Sequence, residues 1–256
     1  MKLLASDYDG TLRRNGVIRE KDLLAIRRFR EAGNLFGVVT GRCYDMIRNE
    51  FTHYGLELDF LICNNGSTIF DLEGNCLMQI NLEQELALDV LHYLEKEPDL
   101  LFGACDGKHY FNETKGNFGT PLFPQPVGHV LSTKDDVLKK NEITAFFYRG
   151  SDYHATLRIG EEIRREFGDA LGYHPNGSAM DLSPSGVNKA NTLHLLAKTH
   201  RDVEITTIGD HMNDIDMVRE FNGFAIADGR DELKEVAKEV VEDIAEAIDR
   251  LMKKEE

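Results

Sequence analysis

Two carboxylates lie two residues apart directly after the first apolar segment of the chain. Residues 2–6 predict a short buried strand, and Gly10 predicts the turn beyond it. Ligands bind at the carboxyl ends of strands in open α/β sheets, and unpaired carboxylates are costly to bury. Asp7 and Asp9 are therefore candidates for catalysis or cation binding. A lone Asp-x-Asp-Gly would more simply be a solvated turn, so the interpretation depends on the rest of the chain.

Polar residues also follow two other predicted buried strands, at 35–39 and 60–63. They are Thr40, Gly41 and Arg42 after the first strand, and Asn64 and Asn65 after the second. In a parallel sheet each crossover returns the chain to the same side, so these strand ends share one edge with Asp7. The convergence of polar side chains on one edge predicts a site there.

The α/β rhythm is interrupted once. Helices are predicted at 20–32 and 43–54 of the first segment, which ends in a hairpin near residue 81. Residues 82–183 predict an α+β insert with its own sheet, and the α/β pattern resumes at 184–256. We therefore predict an α/β fold: a Rossmann-like parallel-sheet core made of 1–81 and 184–256, and an inserted domain between its halves.

Composition excludes several classes of function. The 256 residues carry a net charge of −15, which argues against a nucleic-acid or membrane-surface binder. No apolar run approaches the roughly 20 residues of a spanning helix, and the first residues lack a secretory pattern. The four cysteines show no C-x-x-C pairing and are interpreted as free thiols. We expect a cytoplasmic protein that is a monomer or a weak homo-oligomer.

The order and spacing of four motifs resemble those of the haloacid dehalogenase-like superfamily. The motifs are Asp7-x-Asp-Gly-Thr-Leu12, Thr40-Gly-Arg42, Lys189 and Gly209-Asp-x-x-Asn-Asp214. The Asn64-Asn-Gly66 turn and the large insert after the second motif are similar to Cof-type phosphatases with a C2 cap. The resemblance covers the whole chain. It implies a Mg²⁺-dependent phosphomonoesterase that works through an aspartyl-phosphate.

The resemblance also implies a role for each motif residue. Asp7 would be the nucleophile, since a carboxylate attacks without first losing a proton, and Asp9 would be the general acid and base. Thr40 and Lys189 would complete the catalytic set by binding the phosphoryl group and neutralising its charge. The implied metal ligands are Asp7, Asp9 through its backbone carbonyl, Asp210 and Asp214, and the implied phosphate or substrate contacts are Thr40, Gly41, Arg42, Asn65, Lys189 and Asn213.

Some of these residues have simpler interpretations, and some positions depart from the family pattern. Taken alone, Arg42 is equally suited to pairing with a core carboxylate, and Asn65 to supplying a turn. His211 stands where many relatives carry a small residue, and Arg13-Arg14 replace apolar or small residues. These departures put the substrate in doubt and leave the chemical residues in place.

Three alternative functions remain open. A phosphomutase of the same superfamily would keep the aspartyl-phosphate but exclude water. A receiver domain also uses Asp and Mg²⁺, although the long insert and split core argue against it. An acidic interaction module predicts scattered carboxylates, whereas this chain clusters them at strand ends.

The substrate is expected to be a small phosphorylated metabolite, such as a sugar phosphate. The insert is expected to act as a cap that moves over the strand ends and contacts the leaving group. Candidate contacts in the insert are Asp106, His109, Tyr110, Arg149, Asn176 and Ser178.

Overall fold

The computed structural model describes residues 1–116, 125–199 and 203–253. Within these ranges the strands are β1 (Lys2–Ser6), β2 (Arg13–Arg14), β3 (Val17–Ile18), β4 (Leu35–Val39), β5 (Phe60–Cys63), β6 (Thr68–Phe70), β7 (Cys76–Gln79), β8 (Leu100–Cys105), β9 (Tyr110–Thr114), β10 (Ala145–Gly150), β11 (Leu171–Asn176), β12 (Ala179–Pro184), β13 (Glu204–Gly209), β14 (Phe224–Ile226) and β15 (Glu239–Val241). The α-helices are α1 (Glu20–Glu31), α2 (Tyr44–Tyr54), α3 (Gln84–Lys96), α4 (Lys134–Leu138), α5 (Tyr153–Phe167), α6 (Lys189–Thr199), α7 (Ile215–Glu220), α8 (Asp231–Val236) and α9 (Ile244–Lys253). None of these helices is both long enough and apolar enough to cross a membrane.

The larger sheet has eight strands in the order β15-β14-β13-β1-β4-β5-β6-β7. The strands from β15 to β5 run parallel, and β6 and β7 add an antiparallel hairpin at one edge. Side chains of β1, β4 and β5 are buried on both faces, as expected for strands covered by helices. One apolar layer packs the sheet against α1, α2 and α9, and a second packs it against α6, α7 and α8.

The insert forms a separate antiparallel sheet of five strands, in the order β11-β12-β10-β8-β9. Its own apolar core joins one face of this sheet to α3, α4 and α5. Along β12 the side chains alternate: Met180 and Leu182 belong to that core, so Asp181 and Ser183 lie on the opposite face. The face opposite the insert's core is the one turned towards the larger sheet, where Asp181 contacts Asn65.

The predicted fold class is confirmed: the protein is α/β, with a parallel-sheet core and an inserted α+β part. The sequence did not predict the β2–β3 hairpin, α4 or β15, which are all five residues or shorter. Within the insert, the sequence predicts a strand over 143–148, and the strand lies at Ala145–Gly150. The Gly- and Pro-rich residues 116–128 predict an irregular stretch, of which residues 117–124 fall outside the described residues. The domain limits at 82 and 183, and the role of the insert as a cap, stay predictions.

The separate core of the insert gives a test of its packing. Leu182 is fully buried opposite Phe146, so Leu182→Ala removes contacts that the neighbouring side chains cannot replace. We expect the free energy of unfolding in urea to fall by about 2–5 kcal/mol. Leu88, which is 42% exposed on α3, is the matched control. Equal losses from Leu182→Ala and Leu88→Ala would show that this face of β12 is not packed as described.

Candidate active site

A buried lysine joins two carboxylates at the carboxyl edge of the larger sheet. Lys189 begins α6, and its Nζ lies 2.6 Å from Asp7 Oδ1 and 2.6 Å from Asp214 Oδ1. All three side chains are almost completely shielded from solvent. We call Asp7, Lys189 and Asp214 the lysine triad. Pairing with two anions raises the pKa of Lys189 despite its burial, which by itself would lower it.

The second carboxylate oxygen of Asp214 is also engaged. Asp214 Oδ2 accepts hydrogen bonds from the backbone N–H groups of Asp210 (3.1 Å) and His211 (3.0 Å). Asp214 therefore fixes both Lys189 and the loop that carries Asp210. Because both of its oxygens already have partners, this carboxylate is better suited to positioning these groups than to supplying a direct metal ligand.

Asp210 lies beside the turn that follows Asp7. Its Oδ1 accepts a hydrogen bond from the hydroxyl of Thr11 at 2.6 Å. Gly10 adopts a positive φ of 91°, and a Cβ there would come within 2.2 Å of Asp210 Oδ2. Only glycine allows this approach of backbone to carboxylate without strain.

Three carboxylates of this region could hold a metal ion. Asp7, Asp210 and Asp214 each offer an oxygen, and these oxygens lie within 4.8 Å of one another. Burial and neighbouring carboxylates raise the pKa of Asp7 above its usual range, although Lys189 opposes the shift. The same two causes raise the pKa of Asp210 to about 6. A set of hard oxygen ligands that repel one another suits Mg²⁺, and a bound dication would favour their ionised forms.

The side chain of Asp9 has a different partner. Arg42 holds Asp9 in a two-pronged ion pair: its Nη2 lies 3.0 Å from Oδ1, and its Nε donates to Oδ2. Arg13 Nη1 approaches the same carboxylate at 3.9 Å. Arg42 thus adopts the simpler role considered from the sequence, pairing with a core carboxylate, and a contact with phosphate stays a prediction. A metal contact through the backbone carbonyl of Asp9 likewise stays a prediction.

Thr40 and Gly41 form the turn after β4. The buried Thr40 Oγ1 accepts a hydrogen bond from the Arg42 N–H at 3.1 Å, and the Thr40 carbonyl accepts one from the Asn65 N–H at 2.9 Å. The turn therefore positions Arg42, which pairs with Asp9, and also the turn that contains Asn65. A Cβ on Gly41 would lie 2.8 Å from an oxygen of Asp181, so the insert sits directly on this peptide.

Asn65 connects the loop after β13 to the insert. Its backbone φ of 53° is left-handed, a conformation that asparagine tolerates better than most residues. Its Oδ1 accepts from Asn213 Nδ2 at 3.2 Å, and its Nδ2 donates to Asp181 Oδ2 at 2.9 Å. Asn65 and Asn213 thus come together as the motifs suggested, but Asp181 was missed. The alternation of β12 around it was the available signal, since it puts a carboxylate on the face opposite the insert's core.

A buried polar cluster beneath Asp9 was also missed. The Tyr8 hydroxyl donates to Glu50, which is fully buried on α2, and Arg13 Nε donates to Glu50 Oε1 at 3.2 Å. The Val127 N–H of the insert approaches the same oxygen at 3.4 Å. The burial of Glu50 could not be predicted from its residue type, because acidic residues on helices are usually solvated.

The six candidate residues of the insert differ in position. Asp106 accepts from the His109 N–H at 2.7 Å and also lies 2.9 Å from its ring, so this pair is satisfied within its own loop. The Tyr110 hydroxyl meets His129 at 2.8 Å. Arg149 lies on β10, and the carbonyl of Ser178 accepts from Thr156. Asn176 is the last residue of β11, and its side-chain amide opposes the rise that burial causes in the pKa of Asp181.

His211 links the loop that carries Asp210 to the insert. Its Nε2 accepts a hydrogen bond from the Gly177 N–H, at the turn between β11 and β12, at 3.2 Å. The residue that departs from the family pattern is therefore a contact between the two sheets' loops.

Comparisons with known proteins agree with this arrangement. The sequence matches the haloacid dehalogenase-like hydrolase family over residues 4–248. It is 26% identical over 234 residues to the 5-amino-6-(5-phospho-D-ribitylamino)uracil phosphatase YbjI of Escherichia coli, covering 89% of this chain and 84% of the relative. It is 29% identical over 233 residues to the HMP-PP phosphatase of an Enterobacter species, covering 85% and 80%.

The fold is also found in a solved structure. A haloacid dehalogenase-like hydrolase from B. subtilis superimposes with a TM-score of 0.83 at 21% identity, covering 98% of this chain and 100% of that chain. The relatives named as phosphatases support assignment of this chain as a phosphoric monoester hydrolase. The match over residues 4–248 confirms the resemblance drawn from the four motifs: the chain belongs to the haloacid dehalogenase-like hydrolase family.

Proposed function

We propose that this protein is a Mg²⁺-dependent phosphatase that hydrolyses small phosphomonoesters through an aspartyl-phosphate on Asp7. The observation that carries the proposal is the lysine triad beside Asp210, which puts one cation and three carboxylates at the end of β1 and β13. Relatives named as phosphatases support the same reaction, and one name describes a phosphate on a ribityl chain. Sugar phosphates and similar esters are therefore the proposed substrates.

Asp7 is the proposed nucleophile. Its N–H donates to the Ile208 carbonyl at 2.9 Å, which fixes the backbone of Asp7 against β13. Lys189 holds one carboxylate oxygen, so the other is available to attack phosphorus. The bond from Asp7 to phosphorus forms as the bond from phosphorus to the leaving alcohol breaks.

Asp9 is the proposed general acid and base. It gives a proton to the leaving oxygen and then takes one from the water that attacks the aspartyl-phosphate, which releases Asp7 and inorganic phosphate. The Arg42 ion pair fixes the orientation of the Asp9 carboxylate, and its side chain keeps 30% exposure through which proton exchange with solvent can occur.

Phosphate binding is assigned to the turn after β4 and to Lys189. Thr40 and the Gly41 N–H would hydrogen-bond phosphoryl oxygens, and Lys189 would neutralise charge in the transition state. Asp7 and Asp210, with the Asp9 carbonyl and the support of Asp214, would hold Mg²⁺. When bound, Mg²⁺ supplies charge neutralisation and orients the phosphoryl group.

The first prediction tests the nucleophile. Asp7→Asn should lower hydrolysis of p-nitrophenyl phosphate by roughly 10⁴-fold or more, because an amide oxygen cannot attack phosphorus effectively. Circular dichroism should confirm that the variant is folded. Asp89→Asn makes the same change at an exposed position on α3 and serves as the control. Appreciable turnover by pure Asp7→Asn would refute the assignment.

The second prediction tests the metal. EDTA should abolish activity and Mg²⁺ should restore it. Asp210→Asn should raise the Mg²⁺ concentration for half-maximal activity at least about tenfold, because a charged ligand is lost. The exposed Asp249→Asn is the control. Calcium should inhibit, since its longer bonds and higher coordination number favour a two-oxygen contact with Asp7. Full activity in calcium would show that the metal site is assigned wrongly.

The third prediction tests the acid. Asp9→Asn should slow hydrolysis of aryl phosphates more steeply as the leaving phenol becomes less acidic, because poor leaving groups depend most on proton donation. The measurement is the slope of log kcat/KM against phenol pKa, compared with wild type and with the exposed Asp228→Asn. An identical slope in Asp9→Asn and wild type would remove Asp9 from the acid role.

A further inference from the structure

Asp181 is a buried carboxylate that accepts a hydrogen bond from a neutral amide. It lies on β12 with 8% exposure, and its Oδ2 accepts from the side-chain Nδ2 of Asn65 at 2.9 Å. Lys189 and Arg42 are near enough to favour its charge, but burial outweighs them and raises the pKa of Asp181 to about 6. A carboxylate in such surroundings is costly for the fold, so its retention calls for a reason beyond packing.

Asp181 lies next to the turn that is proposed to bind the phosphoryl group. Its Oδ2 is 2.8 Å from the point that a Cβ of Gly41 would occupy, so it lies over the peptide assigned to phosphate binding. Asn65 ties the carboxylate to the turn at the end of β5, and Asn65 in turn contacts Asn213 in the loop that carries Asp210. The carboxylate is thus held in place from both sides, at the boundary between the core and the insert.

An ionised carboxylate at this place acts on the leaving group in two opposite ways. It accepts hydrogen bonds, so a hydroxyl near the phosphoester gains a charge-assisted partner. It repels a second anion, because like charges a few ångströms apart interact strongly where water is excluded. The Asn65 amide donates to Oδ2 and orients the carboxylate, which leaves lone pairs for a further donor.

We propose that Asp181 is a specificity-determining residue that accepts a hydrogen bond from a hydroxyl on the carbon next to the ester carbon of the leaving alcohol, and that rejects an anionic group at that place. The inference rests on the proposed function. It defines the preferred substrates as monophosphates of polyhydroxylated alcohols, and it disfavours esters with a carboxylate or second phosphate beside the ester.

Three esters that differ at one position test the inference. They are ethyl phosphate, 2-hydroxyethyl phosphate and 2-phosphoglycolate, which carry a methyl, a hydroxymethyl and a carboxylate group next to the ester carbon. The kcat/KM of wild type should be highest for 2-hydroxyethyl phosphate and lowest for 2-phosphoglycolate. The inference is overturned, without any variant, if the wild-type kcat/KM is no higher for 2-hydroxyethyl phosphate than for ethyl phosphate.

Asp181→Asn removes the charge and keeps the shape. The hydroxyethyl-to-ethyl ratio of kcat/KM should fall about tenfold, and the phosphoglycolate-to-ethyl ratio should rise by a similar factor, since a charge-assisted hydrogen bond and a like-charge repulsion are both lost. The ratios are compared within one variant, so a loss of folded protein cancels. Asp89→Asn is the control for the charge change.

The outcomes separate this inference from the proposed function. Unchanged ratios in Asp181→Asn, even with lower thermal stability, would make Asp181 a structural tie between the sheets and overturn the inference alone. Absence of hydrolysis by wild type for these esters and for p-nitrophenyl phosphate, with Mg²⁺ present, would overturn the proposed function itself.

Discussion

The site depends on one buried ion cluster, in which the ammonium of Lys189 lies between the carboxylates of Asp7 and Asp214. Removing these charges from water costs several kcal/mol per ion, and mutual attraction repays the cost only when the geometry is good. The cluster therefore requires the start of α6 and the ends of β1 and β13 to meet closely. Parallel pairing of β1 with β13 brings two of these ends to the same edge.

The loops around the ion cluster contain residues with positive φ angles, one of which allows a charged side chain to approach the backbone. Gly10 has a positive φ that lets Asp210 approach, and Asn64 and Asn65 adopt left-handed conformations in succession. Such conformations cost free energy and persist when the surroundings fix them. At Asn65 the side chain stabilises the left-handed conformation, because both its amide oxygen and its amide nitrogen form hydrogen bonds. Local strain and long-range contacts thus support the same arrangement.

Much of this could be predicted from the sequence because it is encoded locally. Apolar runs such as Phe60–Cys63 predict buried strands within a residue or two, and motif spacing brought Asp7, Lys189 and Asp210 into one hypothesis. The β2–β3 hairpin, α4 and β15 were missed, because each is too short to show a helical or strand period and none contains a continuous apolar run of four residues. β2 and β3 have two residues each, and their pairing depends on the turn between them.

Other long-range polar contacts could not be predicted, since neither a motif nor a local pattern specifies their partners. Glu50 belongs to a helix whose sequence is typical of a solvated face, yet Tyr8 and Arg13 bury its charge. Arg42 carried two interpretations, and the choice depended on the position of Asp9 across a different strand end. Asp181 was not predicted: the alternation of β12 could have indicated its face, but the contact with Asn65 depends on how the two sheets are placed.

The contacts between the core and the insert bear on the prediction that the insert acts as a cap. They are polar, and they include the bonds to the carboxylates of Asp181 and Glu50. Among neutral groups, Asn64 Nδ2 approaches the Gly107 carbonyl and the Thr144 hydroxyl at 3.3 and 3.2 Å, and the Asp45 N–H donates to the Lys108 carbonyl at 3.0 Å. Each such bond contributes about 0.5–1.5 kcal/mol net, because water replaces it on opening.

The apolar cores, by contrast, are separate, apart from a small cluster of Cys43, Cys105 and Tyr110 that spans the boundary. The larger apolar clusters of the core and of the insert therefore do not merge across the boundary. Exchangeable hydrogen bonds between separate cores are compatible with the predicted movement of the insert as a cap, because water can replace each bond and neither core has to be broken.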